Sequence, residues 1–193
     1  MSNTLHIALL QSDLFWENPE KNRKNFEQKI HSIPSPIDLI ILPEMFTSGF
    51  TMDPHHIAEE MGGDTHQWMK QIAKKTNAAI TGSMIIKTIQ KDTVIFSNRL
   101  LFIYPDGTTK FYDKKHSFTL AGEDKIYTSG NQRLTLSYKG WKICPLICYD
   151  LRFPVWSRNT ENYDLLIYVA SWPEKRIEAW NALLKARAIE NMS

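Results

Sequence analysis

The sequence predicts a layered α/β fold, and three observations predict it. Short apolar runs of strand length alternate with amphipathic segments of helical period. Turn signals midway along the chain, among them Pro105-Asp106-Gly107 and Tyr138-Lys139-Gly140, mark hairpins between those runs. A chain of 193 residues, 42% hydrophobic and 23% charged, has the composition of an ordinary globular domain and the length for a substantial core.

Residues 5–11 are the first strand. Pro19–His31 follows as a helix, with Pro19 in its first turn and Phe26 and Ile30 on a shared face. Residues 38–42 form a short apolar strand closed by Pro43. Asp64–Thr76 is a helix capped by Asp64 or Thr65, with Trp68, Met69, Ile72 and Ala73 facing inward. Residues 78–86 are a strand. Residues 96–104 are another, turning through Pro105-Asp106-Gly107 into 108–112 as a hairpin. Residues 133–137 pair with Trp141–Ile147 through Tyr138-Lys139-Gly140, and 164–170 form a buried strand. Residues 174–191 are a long helix with Ile177, Trp180, Leu184 and Ala188 along its inward side. With no linker, repeat or low-complexity segment, residues 1–193 read as one domain.

Composition excludes several classes. The net charge is only +2, and the basic clusters (21–24, Lys74-Lys75, Lys114-Lys115) are short, so no nucleic-acid stripe is present. No apolar run approaches the ~18 residues that a membrane span needs. The run from Leu5 to Gln11 lacks the basic flank and length of a signal peptide, which gives a cytoplasmic expectation. Cys144 and Cys148 lie on one strand, about 13 Å apart at the strand rise. A disulfide needs Cα atoms within roughly 7 Å, so two free thiols are expected, as in a reducing compartment. His55-His56 are adjacent, and neither His-Glu-x-x-His nor paired Cys-x-x-Cys occurs, so no metal site is expected.

Three segments carry chemistry. In Ile40-Ile41-Leu42-Pro43-Glu44 a carboxylate follows directly on a buried strand, where charge is rarely carried unless paired or employed. In Tyr112-Asp113-Lys114-Lys115-His116 a lysine is available to favour a thiolate or hold an oxyanion. In Leu146-Ile147-Cys148-Tyr149-Asp150-Leu151-Arg152-Phe153-Pro154 a cysteine sits where an apolar strand gives way to a polar turn and then a helix. Such a junction exposes a nucleophile at a sheet edge and aims backbone N–H groups at what it attacks.

Taken in this order, the three segments resemble the nitrilase (carbon–nitrogen hydrolase) superfamily, and the resemblance runs over essentially the whole chain. It includes the opening strand ending in Gln11 and Arg187-Ala188-Ile189-Glu190-Asn191 on the last helix. Leu120-Ala121-Gly122-Glu123 and Ala170-Ser171-Trp172-Pro173-Glu174-Lys175-Arg176 look most like the omega-amidase branch. The resemblance implies a four-layer α-β-β-α sandwich of the nitrilase type, a homodimer, no cofactor and no metal. It implies hydrolysis of the terminal amide of 2-oxo acids such as 2-oxoglutaramate and 2-oxosuccinamate. Glu44 matches the family's general base, Lys114 its lysine, Cys148 its nucleophile and Glu123 its second, positioning glutamate. Lys115 adjoins Lys114, and the alignment with the family's Tyr-Arg-Lys-x-His favours Lys114; Asp113 stands where arginine is common. Family members usually continue for several strands beyond the helix ending near Asn191, which this chain lacks.

The implied scheme gives Glu44 the thiol proton and the Tyr149 N–H a share of the oxyanion. Arg176 is the candidate for the substrate carboxylate, because it follows a strand end, and Trp172 is a wall of the pocket or a packing residue. Arg152 is expected to pair with a carboxylate and fix the turn after Cys148. A papain-type pairing of His116 with Cys148 fits neither the chain order nor the neighbouring motifs and leaves Glu44 without a role. Among enzymes the alternative is an aliphatic or N-carbamoyl amidase. Outside enzymes it is an inactive fragment or binding module that leans on a partner, since missing strands would leave sheet edges bare.

Overall fold

The computed structural model describes residues 4–34 and 36–193. Its strands are β1 (Ile7–Leu9), β2 (Leu39–Ile41), β3 (Ala79–Gln90), β4 (Thr93–Ile103), β5 (Thr109–Asp113), β6 (Leu136–Tyr138), β7 (Trp141–Ile147) and β8 (Leu165–Val169). Its helices are α1 (Pro19–His31), α2 (Asp64–Thr76), α3 (Pro154–Ser157) and α4 (Ile177–Asn191). The strands form two sheets, a five-stranded one in the order β1-β2-β3-β4-β5 and a three-stranded one in the order β6-β7-β8. β1, β2 and β3 run parallel, and β3, β4 and β5 antiparallel. β7 pairs antiparallel with β6 and parallel with β8.

The core divides by layer. Phe26 and Ile30 of α1 and Met69, Ile72 and Ala73 of α2 pack on Ile40, Ile80, Leu101 and Ile103 of the larger sheet. The opposite face of that sheet, with Leu39, Ile41, Leu100, Phe102 and Tyr112, packs on Leu136, Ile143, Leu146, Ile147 and Ile167 of the smaller one. The strands of the larger sheet are therefore apolar on both faces, as expected of a sheet covered on both sides.

Helices α1 and α2 have the bounds that the sequence predicts. Their caps differ from each other. Asn18 Oδ1 accepts the Lys21 N–H at 3.1 Å at the start of α1. At the start of α2 neither Asp64 nor Thr65 caps. Gly63 takes that place, and the Thr65 N–H donates to Glu59 Oε2 at 2.7 Å, so a residue from outside the helix satisfies the orphan donor.

Three expectations are corrected. β3 and β4 are one long hairpin closed by Lys91 and Asp92, both at positive φ (46° and 64°), rather than two shorter strands. β6 begins later than residue 133, because Arg133 is engaged elsewhere. Its guanidinium donates to the carbonyls of Trp156 and Arg158 at 2.8 and 2.7 Å and pairs with Glu161. The inward residues of α4 are not an apolar stripe: Ile177 is 42% exposed, and Ala188 is exposed. The buried residues of α4 are Arg187 and Asn191. Arg187 Nε donates to the Leu151 carbonyl at 3.0 Å, and Asn191 Oδ1 accepts the Asn159 N–H at 2.8 Å. This helix is fastened by polar anchors to the turn that follows β7 and to the loop that precedes β8.

Candidate active site

Glu44 stands just past β2, in a turn that Ser83 of β3 holds. Ser83 Oγ accepts the Met45 N–H at 2.9 Å, and the Ser83 carbonyl accepts the Phe46 N–H at 3.1 Å. Met45 is held at φ 45°, a conformation that costs a non-glycine residue energy and persists only where its surroundings fix it. The Glu44 side chain is fully buried.

Lys114 follows β5, and its N–H continues the ladder to the Asn98 carbonyl of β4 at 3.0 Å. Its C=O accepts the Gly130 N–H at 2.9 Å. A side chain at Gly130 would place Cβ 2.3 Å from the Asp113 carbonyl oxygen, so only glycine lets that backbone lie against the lysine. Asp113 is paired across the strands with Arg99 in a two-pronged contact of 2.7 and 2.8 Å. This pairing accounts for an acidic residue there.

The Lys114 ammonium lies 2.9 Å from Glu44 Oε1 and 2.9 Å from both oxygens of Glu123. Lys115 points elsewhere, over the Trp156 ring at 5.6 Å. Glu123 opens a 3-10 turn behind Gly122 (φ 75°), and its Oε2 also accepts the Phe118 N–H at 2.5 Å. Asn98 completes the ring, with Nδ2 2.9 Å from Glu44 Oε1 and 3.4 Å from Glu123 Oε1.

Cys148 follows β7 directly, at φ 42°, and begins the 3-10 turn Cys148–Arg152. Asp150 ties this turn to the lysine segment. It accepts the Ile147 N–H at 3.1 Å, the Tyr112 hydroxyl at 2.7 Å, and the His116 N–H and ring Nδ1 at 3.0 and 2.8 Å. His116 is thereby committed to Asp150 and stacks on Phe153 at 3.7 Å between ring centres, away from any role as a base for Cys148. Of the neighbours of the thiol, the Glu44 carboxylate pushes its pKa up and the Ser171 N–H pulls it down. Ser171 N–H also donates to Glu44 Oε2 at 2.9 Å.

The electrostatics follow from burial. Burial alone would lower the Lys114 pKa, but Glu44 and Glu123 outweigh it and hold the ammonium above the ordinary lysine value. Burial pushes Glu123 up, with Lys114 opposing and Glu44 adding to the rise. Burial and then Glu44 push Cys148 well above the ordinary thiol value against the pull of Lys114. Cys148 is therefore held as a thiol with a carboxylate nearby, an arrangement in which a base would have to take the proton before the sulfur could attack.

The pattern described as carbon-nitrogen hydrolase matches residues 6–192. The chain belongs to the carbon–nitrogen hydrolase family. It is similar to omega-amidase YafV of Escherichia coli (strain K12), at 46% identity over 191 residues, covering 98% of this chain and 72% of that protein. It is also similar to 2-oxoglutaramate amidase of Bacillus subtilis (strain 168), at 32% identity over 188 residues, covering 96% and 72%. Among solved structures, XC1258 from Xanthomonas campestris, a CN-hydrolase superfamily protein with an arsenic adduct in the active site, superposes with a TM-score of 0.91. It is 43% identical, covering 97% of this chain and 72% of that one.

In this carbon–nitrogen hydrolase a cavity opens from Cys148. It is lined by Phe50, Phe118, Tyr149, Arg152, Ser171, Trp172, Pro173 and Arg176. Arg152 does not pair with a carboxylate: its guanidinium lies 5.5 Å from the Trp172 ring centre and 6.0 Å from that of Tyr149. Arg176 lies 5.0 Å over Phe118. Trp172 Nε1 donates to the Arg176 carbonyl at 2.8 Å, so the tryptophan both walls the cavity and holds the backbone of the arginine. Among the described residues neither arginine forms an ion pair, and no acidic side chain lines the cavity.

The fold brings together Glu44, Lys114, Glu123 and Cys148, with Tyr149, Trp172 and Arg176 in the adjoining cavity. Sequence reasoning missed Asn98, Ser171 and the true place of Arg152. A polar residue at Asn98 reads as the outward side of a strand, and nothing local signals its neighbours across the sheet. Asp150 was detectable, since an acid three residues past a strand's last N–H is a local cap.

Proposed function

We propose that this hydrolase acts on the terminal amide of 2-oxo dicarboxylic acid monoamides such as 2-oxoglutaramate and 2-oxosuccinamate, releasing the acid and ammonia. The observation that carries the reading is the pair Arg152 and Arg176, two guanidinium groups without carboxylate partners in the cavity that opens from Cys148. A substrate whose far end is a carboxylate supplies the missing anion, and guanidinium receives it bidentately. The names of the E. coli and B. subtilis relatives point to the same substrate class.

In the proposed mechanism Glu44 takes the thiol proton as Cys148 Sγ attacks the amide carbon. The oxyanion is held by the Lys114 ammonium and the Tyr149 N–H, and loss of one such donor typically costs ~10²–10³ in rate. Glu44 then protonates the departing nitrogen, ammonia leaves, and a thioester remains on Cys148. Water, deprotonated by Glu44, attacks the thioester, and the proton returns to the sulfur with release of the acid. Glu123 orients Lys114 and the substrate amide. No step calls for a metal or organic cofactor. The reading includes a homodimeric, cytoplasmic enzyme, and light scattering in solution tests the dimer.

The test is ammonia release from 2-oxosuccinamate and 2-oxoglutaramate, with propionamide as an amide that lacks the carboxylate. We expect release from the two oxo acids, little from propionamide, none from Cys148→Ala and a trace from Cys148→Ser. Equal rates on propionamide overturn the substrate class, and a fully active Cys148→Ala protein overturns the mechanism.

A further inference from the structure

Asn98 lies on β4 opposite Ile85 and is 1% exposed. Its backbone carbonyl holds the Lys114 N–H, and its side-chain amide reaches both buried carboxylates. The donor assignment is fixed by chemistry: the reverse orientation would aim the amide oxygen at two carboxylate oxygens, three acceptors with no proton among them. With Nδ2 turned to the carboxylates, Asn98 Oδ1 is buried without a partner. An unpaired buried acceptor costs stability, which the Nδ2 contacts to the two carboxylates have to offset.

We propose that Asn98 is a positioning residue that decides which oxygen of Glu44 meets the thiol. Oε1 accepts from Lys114 Nζ and Asn98 Nδ2, both at 2.9 Å, so its two lone-pair directions are filled. Oε2 is left with the Ser171 N–H at 2.9 Å, and Ser171 and Cys148 line the same cavity. The thiol proton therefore passes to Oε2. Asn98 has a second effect, because two carboxylates share one ammonium and the amide places a neutral donor between them. The charged and titratable groups around Glu44 are Lys114 after β5, Glu123 on its 3-10 turn, Cys148 after β7, and Tyr127, whose hydroxyl is engaged by the Thr51 carbonyl at 2.7 Å.

The inference rests on the reading of Glu44 as base and Cys148 as nucleophile. Its test is alkylation of Cys148 by iodoacetamide, followed by mass across a pH range, beside kcat and KM on 2-oxosuccinamate. Alkylation requires no amide substrate, so it reads the base even where the substrate assignment fails. Asn98→Leu and the smaller Asn98→Ala are each expected to slow alkylation and kcat by ~10–100-fold, as for other partners that orient a reacting group, with KM little changed. The acid limb of both profiles moves to higher pH, because the carboxylate pair without its neutral donor takes up a proton more readily. A uniform fall in rate with an unmoved pH profile overturns the proposal, as does an unchanged rate in a variant that melts cooperatively. Failure of both variants to fold marks Asn98 as structural and overturns it as well. A Cys148→Ala protein that still turns over amide refutes the underlying reading, independently of any result at Asn98.

Discussion

Among the described residues Lys114 is the cation that pairs with Glu44 and Glu123, and it is 3% exposed. Its removal leaves two carboxylates buried and uncompensated, which typically destabilises by ~3–5 kcal/mol. Lys114→Met is therefore expected to lose activity and to melt well below the wild type at neutral pH. The sign of its pH dependence follows from linkage. Without the ammonium, the carboxylates have folded pKa values raised above their unfolded ones, so the folded state binds more protons and the loss shrinks as pH falls through that raised range. Melting curves of Lys114→Met and Lys114→Met/Glu123→Gln from neutral to acid pH check this; the double variant should be the more stable at neutral pH. Glu44 and Cys148 stand out in the sequence because each follows an apolar strand, whereas Lys114 follows the largely polar β5 and is picked out by the Tyr-Asp-Lys-Lys-His resemblance. Asn98 and Ser171 do not stand out, because their roles depend on which strands lie side by side, and hydrophobic period carries no information about neighbours across a sheet.

At the scale of elements, periodicity located every named strand and both long amphipathic helices of the larger sheet. It failed at the β3–β4 turn. A two-residue hairpin loop with positive φ at both positions is usually signalled by Asn-Gly or Asp-Gly, whereas Lys91 and Asp92 carry that conformation here without the signal. Replacing both, as Lys91→Asn with Asp92→Gly, relieves the conformational cost and is expected to stabilise by about 0.5–1 kcal/mol, read as a rise in melting temperature with activity unchanged. The hairpin tip holds no site residue, so this change separates strand pairing from chemistry. The stripe predicted for α4 failed for a different reason. Arg187 and Asn191 look like surface residues in a helical repeat, yet their side chains satisfy backbone groups of Leu151 and Asn159 and are buried by doing so.

Across the whole molecule, Asp38 joins the two sheets. Its carboxylate accepts the His6 N–H at 2.8 Å and pairs with Lys139 of the β6–β7 turn, while its carbonyl accepts the Tyr138 hydroxyl at 3.0 Å. Burial alone would raise the Asp38 pKa, but the bonds from Lys139 and His6 outweigh it and hold the carboxyl below its usual range. A depressed folded pKa gives stability that is present above the unfolded carboxylate pKa and is lost as pH falls through the folded one. Asp38→Asn is expected to lower the melting temperature at neutral pH by roughly 2–4 °C, about 1 kcal/mol for a chain of this size. The difference from wild type should close below about pH 4. A constant difference across pH would refute an electrostatic contribution from this link.

The bond between Glu44 and the Ser171 N–H spans 127 residues, and that between Glu44 and Lys114 spans 70. Contacts so distant along the chain close large loops and form slowly, after local hairpins and helices. During synthesis Glu44 emerges long before Lys114 and Ser171, the residues that complete its surroundings. Until then its carboxylate has neither the lysine nor the amide that justifies its burial, and the larger sheet must hold that position open. The surroundings of Glu44 and Cys148 are therefore complete only when both sheets have closed on each other.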